Sequence, residues 1–464
     1  MFDRVLPFLL VMAFAGDWPQ FRGPNGLGVS NDRSLPVQVG PDKSVIWKTP
    51  LPPGHSSPIL AGPYIFLTAY EDEKLFTICL DRASGKILWR REAPRPRREY
   101  MQETNSPVSS SPTSDGQNVY VFFGDYGIIS YGVDGEERWK LPLGPFNNPN
   151  GHGSSPVLID DMLILICDQD TDSYLLALDK TTGKLRYRIA RPEVTRGYAV
   201  PAVYRPKNGP AELIVPGAYQ VIAYNLANGE KLWWARGTAW QMKDVPVIDG
   251  DVVFISGWET GGDNESPAEP PTFEEALAKY DSNGDGRLSY AEVARLIPNF
   301  AEFDLDRDRT LNARDWNFYR ARETAQNSIM AIRAGGRGDV TTKRVLWRFR
   351  KAIPNTPSPL LYQNVLYLVK DGGILTSLNP RTGEPTKQAR LRGALDRYWS
   401  SPVAGDGKIY LLSEGCKLSV LRADADWDLL AVNDLDDTCF ATPAIADSRL
   451  YVRTRSTLYC FGKK

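Results

Sequence analysis

Ala223-Tyr224-Asn225-Leu226-Ala227-Asn228-Gly229-Glu230-Lys231-Leu232-Trp233 is the stretch that decides the fold. It reads as a strand, a turn and a second strand. Gly229 supplies the positive φ that the hairpin needs. Trp233 is a large apolar body with one N–H, suited to cap the outer edge of a sheet and dock on its turn. The same phrase stands at Asp81-Arg82-Ala83-Ser84-Gly85-Lys86-Ile87-Leu88-Trp89 and at Asp179-Lys180-Thr181-Thr182-Gly183-Lys184.

Working outward, each copy is preceded by a run of β-branched and aromatic residues, such as Tyr64-Ile65-Phe66-Leu67 or Val119-Tyr120-Val121-Phe122. Before each run a small residue is followed by proline: Ser57-Pro58, Ser111-Pro112, Ser155-Pro156, Val200-Pro201, Val245-Pro246, Ser358-Pro359, Ser401-Pro402 and Thr442-Pro443. The spacing is mostly roughly 45 residues, the span of a propeller blade. Between Pro246 and Pro359 it exceeds that period by roughly 70 residues, so a foreign unit is spliced into the fifth repeat.

A-x-D-x-x-T-G-K-x-x-W is the tryptophan-docking signature of pyrroloquinoline-quinone-repeat propellers, and Ala223 to Trp233 resembles it. Tyr187 and Lys387 replace the tryptophan in two copies, and the turn is shortened at Asp134-Gly135, as degenerate arrays allow. The opening Asp17-Trp18-Pro19-Gln20-Phe21-Arg22-Gly23-Pro24 also resembles the start of many exported bacterial proteins of this group. The last repeat ends at Lys464 without an outer strand, while Val45-Ile46-Trp47-Lys48 stands alone before the first. Pairing the two leaves no free sheet edge. The expected fold is all-β: an eight-bladed β-propeller closed by an N-terminal strand, with a small α-helical EF-hand insertion. The expected boundaries are a leader at 1–15, an extension at 16–43, blades at 44–263 and 327–464, and the insertion at 264–326.

Within the insertion, a helix-like run from Phe273 to Tyr280 leads into Asp281-Ser282-Asn283-Gly284-Asp285-Gly286-Arg287-Leu288-Ser289-Tyr290-Ala291-Glu292, which matches an EF-hand loop at every informative position. Calcium wants six to eight oxygens. Asp281, Asn283 and Asp285 offer side-chain oxygens, Arg287 its carbonyl, Ser289 a water-mediated contact and Glu292 a bidentate carboxylate. A second loop offers Asp304, Asp306, Asp308, Thr310, Asn312 and Asp315, but Arg309 replaces the turn glycine and Asp315 is shorter than glutamate. Leu288 and Leu311 occupy matching places, as expected of two hands joined by a short β contact. Ca2+ is the expected cofactor, in a structural role.

The formal net charge of −1 gives no electrostatic bias toward polyanions, so nucleic acid is not an expected partner. Arg4, the apolar run Val5 to Ala15 and Ala13-Phe14-Ala15 read as a cleaved export leader, about ten apolar residues being too few to span a bilayer. The mature chain is therefore expected to be periplasmic or secreted, monomeric and without a transmembrane segment. Five cysteines leave at least one unpaired, and none makes a C-x-x-C pair. Cys79 and Cys460, at equivalent places in their repeats, read as small packing residues.

Quinone-dependent dehydrogenases of this propeller type stack their cofactor on a disulfide between adjacent cysteines. No two of these five are adjacent, and the dehydrogenases' base and calcium ligands have no counterpart, so pyrroloquinoline quinone is not expected. The G-x-S-x-G, P-loop and H-E-x-x-H motifs are absent as well. The candidate ligand-binding residues stand in the links before the innermost strands: His55, His152, Arg196, Tyr198, Arg397, Tyr398 and Trp399. The resemblance extends to the propeller scaffold of the outer-membrane β-barrel assembly machinery. The reading is thus a non-catalytic binding or scaffold protein with a protein or polysaccharide partner, the alternative being a quinoprotein dehydrogenase with an atypical cofactor pocket.

Overall fold

The alternating apolar runs form strands because one face of each must be covered, and a ring of sheets covers every face with a neighbouring sheet. The computed structural model describes residues 16–263 and 269–463; the leader read at 1–15 lies outside them. Eight sheets follow one another as an eight-bladed β-propeller, seven of four strands and one of five, with four α-helices among the described residues. Blade 1 is typical: Ile59–Ala61, Tyr64–Glu71, Lys74–Asp81 and Ile87–Ala93 pair antiparallel from the axis outward. In blade 8, Ala444–Ala446, Arg449–Arg453 and Thr457–Phe461 are joined by Val45–Pro50, with Trp47 opposite Cys460 and Thr49 opposite Leu458.

The small-residue-proline phrase has a structural cause. The backbone N–H of one blade donates to the hydroxyl of the next: Thr442 to Ser57 at 3.0 Å, Ser57 to Ser111 at 2.9 Å, and Ser111 to Ser155 at 2.9 Å. Val245 donates to Ser358, Ser358 to Ser401 and Ser401 to Thr442, each at 3.0 Å. This belt ties the innermost strands together and lacks a hydroxyl acceptor only at Val200 and Val245, where the side chain has none to offer.

The outer tryptophans work between blades and not on their own turns. Trp47 of blade 8 donates its Nε1 hydrogen to the carbonyl of Arg82 in blade 1, Trp89 of blade 1 to Val133 in blade 2, and Trp139 of blade 2 to Lys180 in blade 3. The two degenerate copies do the same with other donors, Tyr187 to Leu226 at 2.8 Å and Lys387 to Trp427 at 2.7 Å. Trp233 is the exception. The corresponding link of blade 5 is enlarged by Gly338–Asp339, which pairs alongside Trp233 and Trp234, and by the helix Thr341–Arg344, and Trp233 turns to Glu212 of its own blade.

The link between Val252–Gly257 and Ser328–Arg333 of blade 5 carries the spliced unit. It contains the helices Phe273–Tyr280, Tyr290–Val293 and Ala313–Thr324, and Leu288–Ser289 pairs with Thr310–Leu311. Phe273, Val293, Phe300, Phe303 and Trp316 form its own core. It is also seated on the propeller: Phe303 stacks on Trp240 at 6.1 Å, Leu305 is buried among blade residues, and Asn147 donates to the Leu305 carbonyl at 2.8 Å.

The extension at 16–43 runs through the opposite end of the channel. Trp18 exchanges two 2.9 Å hydrogen bonds with Leu60, Ser114 donates to Pro19 at 2.9 Å, Arg22 reaches the Pro359 carbonyl at 2.7 Å, and Gly28 and Ser30 bond to Ala404. These partners lie on or beside the innermost strands of blades 1, 2, 6 and 7. The channel is therefore blind at this end, with Phe21 on its floor.

Candidate functional site

The open mouth of the channel lies on the face that also bears the insert. Its lining follows one rule. The residue two positions before each small residue faces the cavity: His55, Ser109, Gly153, Tyr198, Lys243, Thr356, Trp399 and Phe440, one from every blade junction. In an extended link, residues two apart share a side. The belt residue and its second predecessor therefore both face the axis, and the residue three before it turns away.

That alternation sorts the predicted site residues. His55, Tyr198 and Trp399 come together in the mouth. His152 and Tyr398, one position further back, turn into the blades. His152 packs edge-on against Phe122 and Phe146, 5.0 and 4.4 Å between ring centres, with neither nitrogen hydrogen-bonded among the described residues. Tyr398 is buried and donates to the Ala394 carbonyl at 2.8 Å. Arg397 is exposed and lines neither the mouth nor the adjoining cleft. Arg196 is held by Asp170 at 2.6 Å and lines a neighbouring cleft. The sequence reading passed over Lys243 and Phe440, although the same spacing before Val245-Pro246 and Thr442-Pro443 would have found both.

The mouth encloses about 370 Å3. On one side, His55 stacks on Phe440 at 3.9 Å and 16°, and Trp399 stands 6.3 Å from Phe440, so three rings form a continuous arc. Burial, with Arg453 and Arg455 nearby, lowers the His55 pKa to about 4 and keeps the ring neutral at pH 7. The disulfide Cys416–Cys439, invisible to spacing arguments, ties the link carrying Phe440 to a turn of blade 7. Cys79, Cys167 and Cys460 are free and buried.

Across the mouth, Lys243 is surrounded by protein while its head faces the cavity. Burial lowers its pKa to about 8, and its ammonium donates to Asn355 at 2.7 Å. It is the one charged residue lining the mouth, which includes no aspartate or glutamate among the described residues. The mouth continues into a second cleft of about 850 Å3 between the propeller and the insert, and Gln102, Asn150, Gln241, Lys243 and Trp258 line both. In that cleft burial raises Glu259 to about 7; its Oε2 has no hydrogen-bond partner among the described residues and lies 3.7 Å from Arg322.

The two acidic loops sit above this cleft. In the first, Asp281 accepts from the N–H groups of Gly284 and Gly286, and Glu292 accepts from Ser289 and Ser282, which together pull its pKa down to about 2. In the second, oxygens of Asp304, Asp306 and Asp308 lie within 4.8 Å of one another. Arg309 adopts φ 69°, close to the 76° of its counterpart Gly286. Arg287 reaches across from the first loop to pair with Asp308. Thr310 pairs with Ser289 in the strand contact, Asn312 caps the following helix, and Asp315 is buried and accepts from Asn312.

A family model described as outer membrane protein assembly factor BamB matches residues 37–264. No curated protein matches the chain significantly. Among solved structures, BamB from Moraxella catarrhalis superposes with a TM-score of 0.57 at 12% identity, covering 90% of this chain and 97% of that one. A europium-containing methanol dehydrogenase gives 0.60 at 10% identity over 97% and 98%. The quinohemoprotein alcohol dehydrogenase from Comamonas testosteroni gives 0.57 at 12% over 99% and 83%. At these identities the likeness is one of fold, and it includes both an assembly factor and dehydrogenases. No helix among the described residues is long and apolar enough to cross a membrane. The fold is thus an eight-bladed β-propeller, and over residues 37–264, just under half of the chain, the sequence is similar to the pyrroloquinoline-quinone-like repeat family that includes this assembly factor.

Proposed function

We propose that the chain is an exported, non-catalytic binding protein that holds its partner on the face bearing the mouth and the insert. The observation that carries this reading is the convergence of eight link residues on a blind recess of rings, hydroxyls and a single ammonium. General acid–base chemistry needs groups whose protonation states are poised against each other at the reacting atoms. His55 is stacked and neutral, and the mouth offers it no carboxylate partner. The Cys416–Cys439 pair supports export, because disulfides persist in oxidising compartments.

The dehydrogenase reading fits this mouth poorly. A quinone with its calcium ion would need carboxylate and amide ligands beside it, and the mouth lining supplies amides but no carboxylate. The one disulfide joins residues 23 apart and does not line the mouth. We assign calcium instead to the insert, held in the first loop by Asp281, Asn283, Asp285, the Arg287 carbonyl and Glu292, with a weaker second site at Asp304, Asp306 and Asp308. There it would fix the two loops that form one wall of the cleft. The strand Val45–Pro50 closes the ring in this reading, so that no sheet edge competes for partners.

The test is capture from envelope extract with the wild-type chain and with Thr356→Trp, which fills the mouth from a position outside the belt. A partner retained by the first and lost by the second supports the reading. Equal capture by both places the interaction on another surface and refutes it.

A further inference from the structure

The mouth and the cleft form one trough, and its chemistry selects among ligands. The arc of His55, Phe440 and Trp399 offers flat apolar faces at one end. Tyr290 of the insert, 55% exposed, and Tyr100 of the propeller, 73% exposed, line the other end. Large rings left this open on a soluble surface mark contact sites when they line a concavity. Between the two ends the shared lining is mostly neutral amide, from Gln102, Asn150 and Gln241. Amides offer donors and acceptors together, which suits a ligand carrying many hydroxyl groups.

Hydrogen-bond donors on this path are left to spare. The Nε1 hydrogen of Trp258 is buried without an acceptor among the described residues. Lys243 has three ammonium donors and one hydrogen-bonded partner, Asn355. With no aspartate or glutamate in the mouth, an anionic group on the ligand meets Lys243 unopposed there; the cleft beyond carries Asp170, Glu259, Glu302 and Asp304, against which stand Arg196, paired with Asp170, Arg322, beside Glu259 and Glu302, and Arg307. Resting on the binding-face reading above, we propose that the trough binds an acidic oligosaccharide. One sugar ring stacks on Trp399 and Phe440, its carboxylate meets Lys243, and the following units extend over the amides toward Tyr290. A peptide would not need the run of neutral amides, and a lone small molecule would not need both cavities.

The measurement is titration of the wild-type protein with a short oligogalacturonate and with a neutral cello-oligosaccharide, following tryptophan fluorescence and calorimetric heat, with and without chelator. The acidic oligosaccharide is expected to bind more tightly in both buffers. Lys243→Gln should weaken it about tenfold or more and remove the preference over the neutral sugar. Trp399→Ala should weaken both sugars about fivefold to tenfold. Unchanged melting of each variant keeps the comparison free of folding defects, and Phe440→Ala replaces Trp399→Ala if that variant unfolds. No binding of either sugar at millimolar concentration, equal affinity for the two, or binding abolished by chelator alone would overturn the proposal. Loss of the sugar result while Thr356→Trp still blocks capture of a protein partner would remove the ligand class and leave the binding face standing.

Discussion

The indole of Trp139 in blade 2 lies so close to Gly183 in blade 3 that a Cβ on the glycine would sit 2.7 Å from the ring. The glycine is thus required twice, once by its φ of 68° and once by the neighbour that docks on it. Gly183→Ala should cost about 2–3 kcal/mol, from backbone strain plus overpacking. Gly116, with φ 84° and nothing within 4 Å of a built Cβ, is the matched control, and Gly116→Ala should cost only about 1 kcal/mol. Urea melts of the two variants check this; equal losses would mean that the indole does not lock the blades.

Removing residues 1–50 exposes the edge of Thr457–Phe461 in blade 8 and takes away the Trp47 contact with blade 1. That chain should aggregate or lose most of its cooperative melt. A chain lacking only residues 1–30 keeps the outer strand but loses buried Trp18 and Arg22. It should melt lower than the full chain yet keep the full chain's particle size by light scattering. Aggregation of both to the same extent would show that the strand pairing is not what protects blade 8.

His152 gives stability a pH dependence whose sign is fixed by its burial. Its pKa in the fold is lowered to about 4 from an ordinary 6.5, so between those values the unfolded chain binds the extra proton. Stability should therefore be full above about pH 6.5 and fall toward pH 4, by on the order of 2 kcal/mol at pH 4.5 from this residue. His152→Phe, fitting among Phe122 and Phe146, should flatten that slope. Denaturant melts at pH 7 and 4.5 measure it, and an unchanged slope would contradict the assignment.

For calcium, Asp281→Ala and Glu292→Gln should each remove the tighter calorimetric event. Asp315→Ala should leave that event in place while loosening the second loop, since Asp315 is buried and holds the N–H groups of Asn312 and Leu305. Far-ultraviolet circular dichroism should keep its β signal in all three, because the blade strands lie outside the insert. Wild-type protein with no calcium heat at millimolar concentration would refute the metal assignment.

The ring was legible because its signals are local: Gly229 and its copies mark turns, the small-residue-proline phrase marks the innermost strands, and Val45 to Lys48 lacks a partner in its own repeat. What escaped was contact across the ring. Nothing near Trp89 says that it docks on blade 2, nothing near Arg22 says that it is buried in the channel, and Cys416 and Cys439 are brought together only by two neighbouring blades. The site was half legible for the same reason. Position in the links before the innermost strands singled out both histidines, whereas the geometry selects by alternation, keeping His55 and turning His152 away.

Reconstitution of the purified protein with pyrroloquinoline quinone and calcium, assayed for dye-linked alcohol and sugar oxidation, tests most directly whether this propeller presents a binding mouth instead of a quinone site. The account predicts no quinone-dependent turnover and no change when Trp399 or Lys243 is replaced. Robust oxidation that requires the quinone and is lost in Trp399→Ala would contradict it.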